Sequence, residues 1–523
     1  MVLTRLRMDE LANAWVSDET TPFQMGLLCE FDAAPLLRPD GTLDVPRIRA
    51  ELANRAGRVA ALGRRVVWTR IGEGRPVWAN DPSFDPTRHV LTATLPAGED
   101  LATWAANRAV QPLAMNRPLW RADIIHALPD TRFAVLLVMH HILADGVAGL
   151  ALVGQLLDPA PDSPPVTPWM RSETPLPVRR ELVRQRLREA RDSLRRNGQR
   201  ADPSPAPSRE RPHRNQHFMG LFAGQEPQTS LPRRIGPERR LAIVRVPLAD
   251  VTRTAHALGV TVNDLLLAAV TSGVRDLLAA RGELIPGLVL RTSVPAATGG
   301  PGQVAAMLVA ELPVGEPDPR RRLALVARST ASGKSQLRSG VGDGRGVLTL
   351  PVILARPIVR WARQFGSRRL SLSVADIPGP PNPLWLAGSR LRQAAPIAPL
   401  TPLVPVCVAA LSYAGELAVS VNADAAITDL DRIADGIRHS FATMQEATRT
   451  GELRPPALPA PLVGRGRLVI DCAIDIERPA DVVFAYCTDA SNEPQWNPQL
   501  RSVTTLTDGP IGIGTRYRMR FRT

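Results

Sequence analysis

Lysine is all but missing from this chain: Lys334 stands alone among 64 basic residues, so the formal charge of +14 is carried by arginine. With 38 glycines and 50 prolines beside it, this bias points to a GC-rich genome as much as to a charged ligand. A net positive field still attracts phosphates, acidic headgroups or a polyanionic substrate. Aromatic residues are scarce, at 4%, and no recognition motif is present, so nucleic acid is not an expected partner. The four cysteines, Cys29, Cys407, Cys472 and Cys487, have neither the density of a disulfide scaffold nor a metal-ligand spacing. No metal is expected, and a reducing cytoplasm suits the pattern. No apolar run is long enough to span a bilayer. Residues 347–365 come nearest, broken by Pro351, Arg356, Pro357, Arg360 and Arg363. Met1 to Trp15 carries Arg5, Arg7, Asp9 and Glu10 without an apolar core, which does not read as a secretory signal. A Gly-x-Ser-x-Gly nucleophile elbow is also lacking.

What remains is apolar enough for several cores, at 44% hydrophobic over 523 residues, and that length favours more than one domain. Four sections are visible. Residues 1–160 mix strand-like and helix-like runs. Residues 161–215 are Pro- and Arg-rich linker around Val178–Arg196, whose apolar positions 183, 187, 190 and 194 predict an amphipathic basic helix. Residues 216–452 resume globular patterning. Residues 466–523 begin a new segment after a proline-rich hinge. Gly340–Gly346 is glycine-rich but follows no strand in the arrangement a phosphate loop needs, and reads as a flexible loop.

The chemistry concentrates at one place. Phe133–Met139 is an unbroken apolar run, the pattern of a strand buried on both faces. It delivers His140 and His141 to its carboxyl end. Successive strand residues point to opposite faces, so only one of the two can look into a given channel. Asp145 and Gly146 follow, opening a helix that runs to Leu157. Asp145 can cap that helix or pair with an arginine, and Gly146 permits a close backbone approach. A neutral imidazole can take the proton of a bound hydroxyl as it attacks a thioester carbonyl, then return it to the departing thiolate. Such proton transfer is worth roughly 10²–10⁴-fold, so orientation and oxyanion stabilisation must supply the rest. The competing reading, two satisfied core histidines or a metal pair, lacks a third ligand at a recognisable spacing.

The run His140-His141-Ile142-Leu143-Ala144-Asp145-Gly146 resembles the His-His-x-x-x-Asp-Gly motif of CoA-dependent acyltransferases, which include chloramphenicol acetyltransferases and peptide-synthetase condensation domains. The closer resemblance is to the bacterial wax ester synthase/diacylglycerol acyltransferase family. It is carried, in order, by Pro22-Phe23-Gln24-Met25-Gly26, Phe84–Val90, Arg117-Pro118-Leu119-Trp120, Thr261-Val262-Asn263-Asp264, Asp376-Ile377-Pro378-Gly379-Pro380, Leu386-Ala387-Gly388 and Ser412-Tyr413-Ala414-Gly415. It implies an α/β (α+β) fold of two chloramphenicol-acetyltransferase-like lobes around a central channel. Acyl-CoA would enter as a substrate from one side, and diacylglycerol or a long-chain alcohol from the other, with no cofactor. By that likeness His141 is the base, His140 and Gly146 complete the catalytic motif, and Asp145 is mainly structural. Trp120, Asn263 and Asp264 bind substrate or support the site. Read from spacing alone, Thr261 and Asp264 cap a helix whose stripe Leu266, Val270, Val274 and Leu277 ends at Gly282, and His89 reads as structural. The chain departs from the pattern at Ala375, Asp376, Cys407 and Gly302, which bears on the acceptor more than on the reaction.

Residues 467–523 resemble the start of a polyketide-cyclase/START-like helix-grip domain, in Ile476–Phe484, Gln495-Trp496-Asn497-Pro498 and Gly512-Ile513-Gly514-Thr515. The length is too short to close such a cavity. The expected activity is therefore O-acyl transfer from acyl-CoA to a lipid alcohol. The alternatives are a non-glyceride acceptor or an inactive lipid-binding protein of the same fold. The expected location is cytoplasmic, with the basic helix and residues 347–365 as candidate contacts to the inner membrane face or lipid inclusions.

Overall fold

The computed structural model describes residues 3–199 apart from 71, 127, 129, 130, 165, 166, 168 and 170–174, then 229–296, 306–338, 356 and 369–451, with short stretches between 482 and 521. It divides into two units, Met1–Pro456 and Ala457–Thr523. In the first unit two six-stranded sheets carry the architecture, with strands numbered here along the chain. One sheet contains β2 (Gln24–Asp32), β5 (Val90–Thr94), β6 (Trp120–His126), β7 (Arg132–His140), β12 (Trp385–Leu386) and β13 (Ser389–Ile397), in the order β12-β13-β2-β7-β6-β5. Two of its strands thus come from the C-terminal part of the chain. The pairings are antiparallel except between β5 and β6.

β7 lies at the middle of this sheet and is buried from Phe133 to His140, as a strand covered on both faces must be. Phe133, Val135, Leu137 and Met139 face a core shared with Phe31, Trp120 and the helix Val45–Arg58. Ala134, Leu136 and Val138 face a second core with Leu28, Ala105, Leu241 and Ile397. That second core joins the two sheets, because Leu241 belongs to the other one.

The other sheet contains β8 (Arg239–Pro247), β9 (Leu290–Ala296), β10 (Ala306–Leu312), β11 (Leu372–Ile377), β14 (Val406–Tyr413) and β15 (Glu416–Asp424), in the order β10-β9-β11-β14-β15-β8. Its outer face carries Val244, Val294, Val374, Val408 and Val421 against helices Leu248–Ala257, Val262–Ala280, Pro319–Arg338 and Leu430–Arg449. Helix Val262–Ala280 is buried along most of its length. It crosses Leu430–Arg449 so closely that a β-carbon at Gly273 would overlap the carbonyl oxygen of Ile433. The reciprocal Thr261–Asp264 capping box opens this helix, and Gly282 closes the following turn at φ +69°. No single helix among the described residues is long and apolar enough to cross a membrane.

A small sheet of β1 (Thr4–Arg5), β4 (Val77–Asn80) and β3 (Arg64–Val67), in that order, seats the basic helix, which spans Arg179–Gln199. Leu182 packs there with Leu3 and Val77. The Arg5 guanidinium pairs with Glu189 at 3.0 Å, and the Gln185 amide bonds both the N–H and the carbonyl of Leu3. These contacts set the rotation of the helix. Leu182 is buried, and Gln185 and Glu189 are half-buried, as are Val183 and Ala190 of the predicted stripe, whereas Leu187 of that stripe is left 64% exposed.

In the second unit the described elements are the short turn Ala490–Asn492 and an antiparallel hairpin of β16 (Leu500–Thr505) and β17 (Tyr517–Phe521), with a register shift at Leu500/Ser502. The Pro479 helix start, Trp496 and Gly512–Thr515 lie outside the described residues, as do Gly302, Gly340–Gly346, Cys472, Cys487, the linker 201–215 and nearly all of 347–365.

Candidate active site

The end of β7 is fixed by main-chain bonds on both flanks. The His140 N–H donates to the Leu119 carbonyl at 3.0 Å, and the His141 N–H to the Phe23 carbonyl at 2.9 Å. The Leu143 N–H then donates back to the His140 carbonyl at 2.9 Å, which closes the turn. The two imidazoles part company here, as the alternation of a strand requires. His140 is 1% exposed. His141 is half-buried, and its ring stacks on Phe23 with centroids 4.8 Å apart and planes inclined by 26°.

His140 has a defined tautomer. Its Nδ1 accepts the Ile142 N–H at 3.2 Å, so the proton sits on Nε2 and points at Ser17 Oγ, 3.3 Å away. Burial, reinforced by the neighbouring His141, pushes its pKa down to about 4. A neutral, sealed ring with both nitrogens committed holds structure and does not exchange protons with a ligand. The partly open ring of His141 is the one that a substrate can reach.

Asp145 caps the following helix, Gly146–Leu156, by accepting the Ala148 N–H at 2.9 Å. Among the described residues it makes no ion pair with an arginine. The neighbouring Arg7 bonds Asp9 at 2.8 Å instead, and Asp145 acts on it only through its field. Gly146 allows a close approach: a β-carbon there would stand 3.2 Å from Ile377 Cδ1, which would have to give way by a few tenths of an ångström. This contact brings the histidine motif of the first sheet against the end of β11 in the second. Gly149, one turn on, is similarly tight against Met25, at 2.9 Å.

The loop after Ile377 is clamped. A β-carbon at Gly379 would overlap the Ser412 carbonyl. The Gly379 N–H donates to Ser412 Oγ at 3.0 Å, and the Ala414 N–H to the Pro380 carbonyl at 3.1 Å. Asp376, just before, keeps an exposed side chain although protein surrounds most of it, and this desolvation raises its carboxyl above the ordinary range. Cys407 is buried beside Asn422, its partner on β15. Burial pushes its thiol up to about 11, so it supplies no thiolate. Cys29 is likewise raised, to about 12.

The remaining candidates stand further back. Trp120 is 2% exposed, donates its indole N–H to the Leu62 carbonyl at 2.8 Å and stacks on His89 at 4.8 Å, the contacts of a supporting residue. His89 binds the Trp120 carbonyl through Nδ1 at 2.9 Å, and burial lowers its pKa. Asn263 is half-buried in the first turn of its helix. Asp264 spends both oxygens on structure: Oδ2 on the Thr261 N–H and hydroxyl, and Oδ1 on the Thr330 hydroxyl at 2.6 Å. Sequence reasoning assigned no role in the site to Ser17, Phe23 or Ile377, although Phe23 and Ile377 fall in segments that carry the family resemblance. Only tertiary register reveals them, since β2 pairs Gln24 with His140.

At the other end of β7 lies a cavity of about 280 Å³ lined by Glu30, Arg132, Arg392 and Gln393. One oxygen of Glu30 meets Arg132 at 2.7 Å, and the other meets Arg245 of β8 at 3.2 Å. Arg245 also approaches Glu416, at 3.4 Å, and Arg392 pairs with Asp32. Among the described residues no group of three His, Cys, Asp or Glu side chains is arranged to hold a metal ion.

Comparison with known proteins bears on this geometry. Residues 9–266 match the family model for the wax ester synthase/diacylglycerol acyltransferase catalytic domain, and residues 302–445 match that for the family's C-terminal domain. A protein of Mycobacterium tuberculosis H37Rv named probable diacylglycerol O-acyltransferase is 28% identical over 421 residues, 76% of this chain and 87% of that protein. The solved wax ester synthase/diacylglycerol acyltransferase from Marinobacter aquaeolei VT8 superposes with a TM-score of 0.61 at 19% identity, over 85% of this chain and 100% of that one. The first condensation domain of the calcium-dependent antibiotic synthetase does so with a TM-score of 0.53 at 17% identity, over 87% of this chain and 98% of that one.

Proposed function

The chain belongs to the wax ester synthase/diacylglycerol acyltransferase family, and from that premise we propose that it acylates diacylglycerol with a fatty acyl group from acyl-CoA, using His141 as general base. The single observation that carries this reading is the division of labour at the end of β7. His140 is sealed and neutral, while His141 is half-open and sits in the motif that touches Ile377 of the other sheet. The acceptor hydroxyl loses its proton to the His141 imidazole as its oxygen bonds the thioester carbonyl carbon. The tetrahedral species then collapses, the carbon–sulfur bond breaks, and the imidazolium returns the proton to the CoA thiolate. Atoms and charge balance without a covalent enzyme intermediate. Acyl-CoA and the alcohol approach from opposite sides of the seam between the sheets. Diacylglycerol is preferred over a long-chain alcohol because the curated mycobacterial relatives carry that acceptor in their names.

Incubating the purified protein with palmitoyl-CoA and dioleoylglycerol, hexadecanol or neither, with thiol release and product chromatography, tests this. Triacylglycerol formation that needs His141 supports the reading. Ester formed from hexadecanol alone moves the acceptor to wax alcohols, and release with neither lipid but with another nucleophile overturns it.

The same reading places the protein at a lipid surface. Arg180, Arg184, Arg188 and Arg191 are exposed around Leu187 on the outer side of helix Arg179–Gln199, a charge pattern suited to anionic headgroups with a leucine reaching the acyl boundary. The protein would thus work in the cytoplasm, at the inner membrane face or on lipid inclusions. Flotation with phosphatidylglycerol-containing vesicles at low salt should carry the protein upward. A variant with these four arginines changed to glutamine should stay behind, and no floated wild-type protein would end this part of the proposal.

A further inference from the structure

The half-open ring of His141 is met from one side by Phe23, which belongs to the loop before β2. Ser17 ends the helix Met8–Val16 in an extended conformation, and its Oγ accepts the Phe23 N–H at 3.0 Å. The same oxygen receives the Nε2–H of His140. Asp18 folds the intervening turn by accepting the N–H groups of Thr20 and Thr21. On the other side, the buried Gln24 side chain donates to the carbonyls of Ala109 and Gln111 and accepts the Leu113 N–H at 2.7 Å. Phe23 is thus held between two anchored neighbours. Its carbonyl takes the His141 N–H, and its ring lies along the imidazole.

We propose that Ser17 and Phe23 are positioning residues for His141. His140 holds Ser17, Ser17 holds the Phe23 backbone, and Phe23 holds the His141 main chain by its carbonyl and the imidazole by a ring whose π-face supports the positive charge that forms there during transfer. The proposal rests on the reading of His141 as the base. An aromatic face within about 6 Å favours a cation, so the stack does more than block rotation: it stabilises the imidazolium relative to the neutral ring. This also gives the buried His140 a task. Its tautomer, set by the Ile142 N–H, is the one that can donate to Ser17.

The test uses the full chain with palmitoyl-CoA and dioleoylglycerol, with kcat and KM measured from about pH 5.5 to 9. Phe23→Leu should lower kcat about tenfold, leave KM for acyl-CoA within about twofold, and move the acid limb of kcat/KM to lower pH by about half a unit, because the imidazolium loses its π-face. Phe23→Trp should restore both quantities, which a packing role alone would not produce. Ser17→Ala should lower kcat several-fold, and Ser17→Thr should recover it. If Phe23→Leu does not fold, Phe23→Met is read by the same two quantities. Unchanged kcat and an unmoved acid limb in the folded Phe23 variants would overturn the proposal, and full activity in Ser17→Ala would remove Ser17 from it. Activity that survives in His141→Ala is a different result, because it defeats the base assignment itself.

Discussion

The two ends of β7 join the same pair of sheets by opposite means. At the amino end the link is ionic: Glu30 divides its two oxygens between Arg132 of β7 and Arg245 of β8, and Glu416 extends the network through Arg245. At the carboxyl end the contacts are uncharged: main-chain bonds, the Ser17–His140 bond, the Phe23–His141 stack and the Gly146–Ile377 contact. The fold thus joins its sheets through ion pairs at one end of the strand and through uncharged contacts beside the half-buried His141 at the other.

Substitutions at each end separate these roles. His141→Ala carries the largest expected effect, a fall in kcat/KM of roughly 10²–10⁴-fold with an unchanged melting temperature. Comparable loss of stability in that variant would mean the ring is structural. Next comes the pH response of the neutral end. The folded pKa of His140, about 4, lies below the ordinary value near 6.5, so the unfolded chain binds the extra proton first. Stability is then complete above about pH 6.5 and falls by about 3 kcal/mol as pH drops toward 4. His140→Asn should flatten that slope in chemical denaturation across this range. At the ionic end, Glu30→Gln leaves Arg132 and Arg245 without their shared carboxylate. The pairs are only partly buried, so the cost lies between surface and interior values, about 2 kcal/mol. Turnover well below the melting temperature should stay within twofold, and a large loss of kcat would break the comparison. Smallest is Asp145→Ala, which removes the cap on Ala148 and should cost about 1 kcal/mol, with Asp145→Ser recovering most of it.

Much of the carboxyl end is legible in the sequence, because its signals are local. An unbroken apolar run makes β7, an aspartate before an apolar helix makes a cap, and Thr261 with Asp264 makes a capping box. Two adjacent histidines on a strand must diverge, although which one is open follows only from what packs on each. What escapes the sequence is non-local. The part played by Ser17 and Phe23 depends on β2 pairing with β7, and the seat of the basic helix depends on Leu3 meeting Gln185 and Arg5 of β1 meeting Glu189. Trp120 reads equally as lining or support until its indole N–H is seen bonded to Leu62. Asp264 invites a substrate role until Thr330, on a distant helix, claims its second oxygen.

One feature of the first sheet reaches beyond the finished molecule. β2 is bordered by β13, some 360 residues further along the chain. At about 5–20 residues per second of synthesis, the emerging N-terminal half waits roughly half a minute with one edge of β2 unpaired. An open edge of that kind recruits stray strands. An N-terminal fragment ending in the linker should therefore self-associate on its own and become monomeric when the second half is supplied in trans. The two halves are joint products of one folding event, and neither is a module that evolution or an engineer can exchange alone.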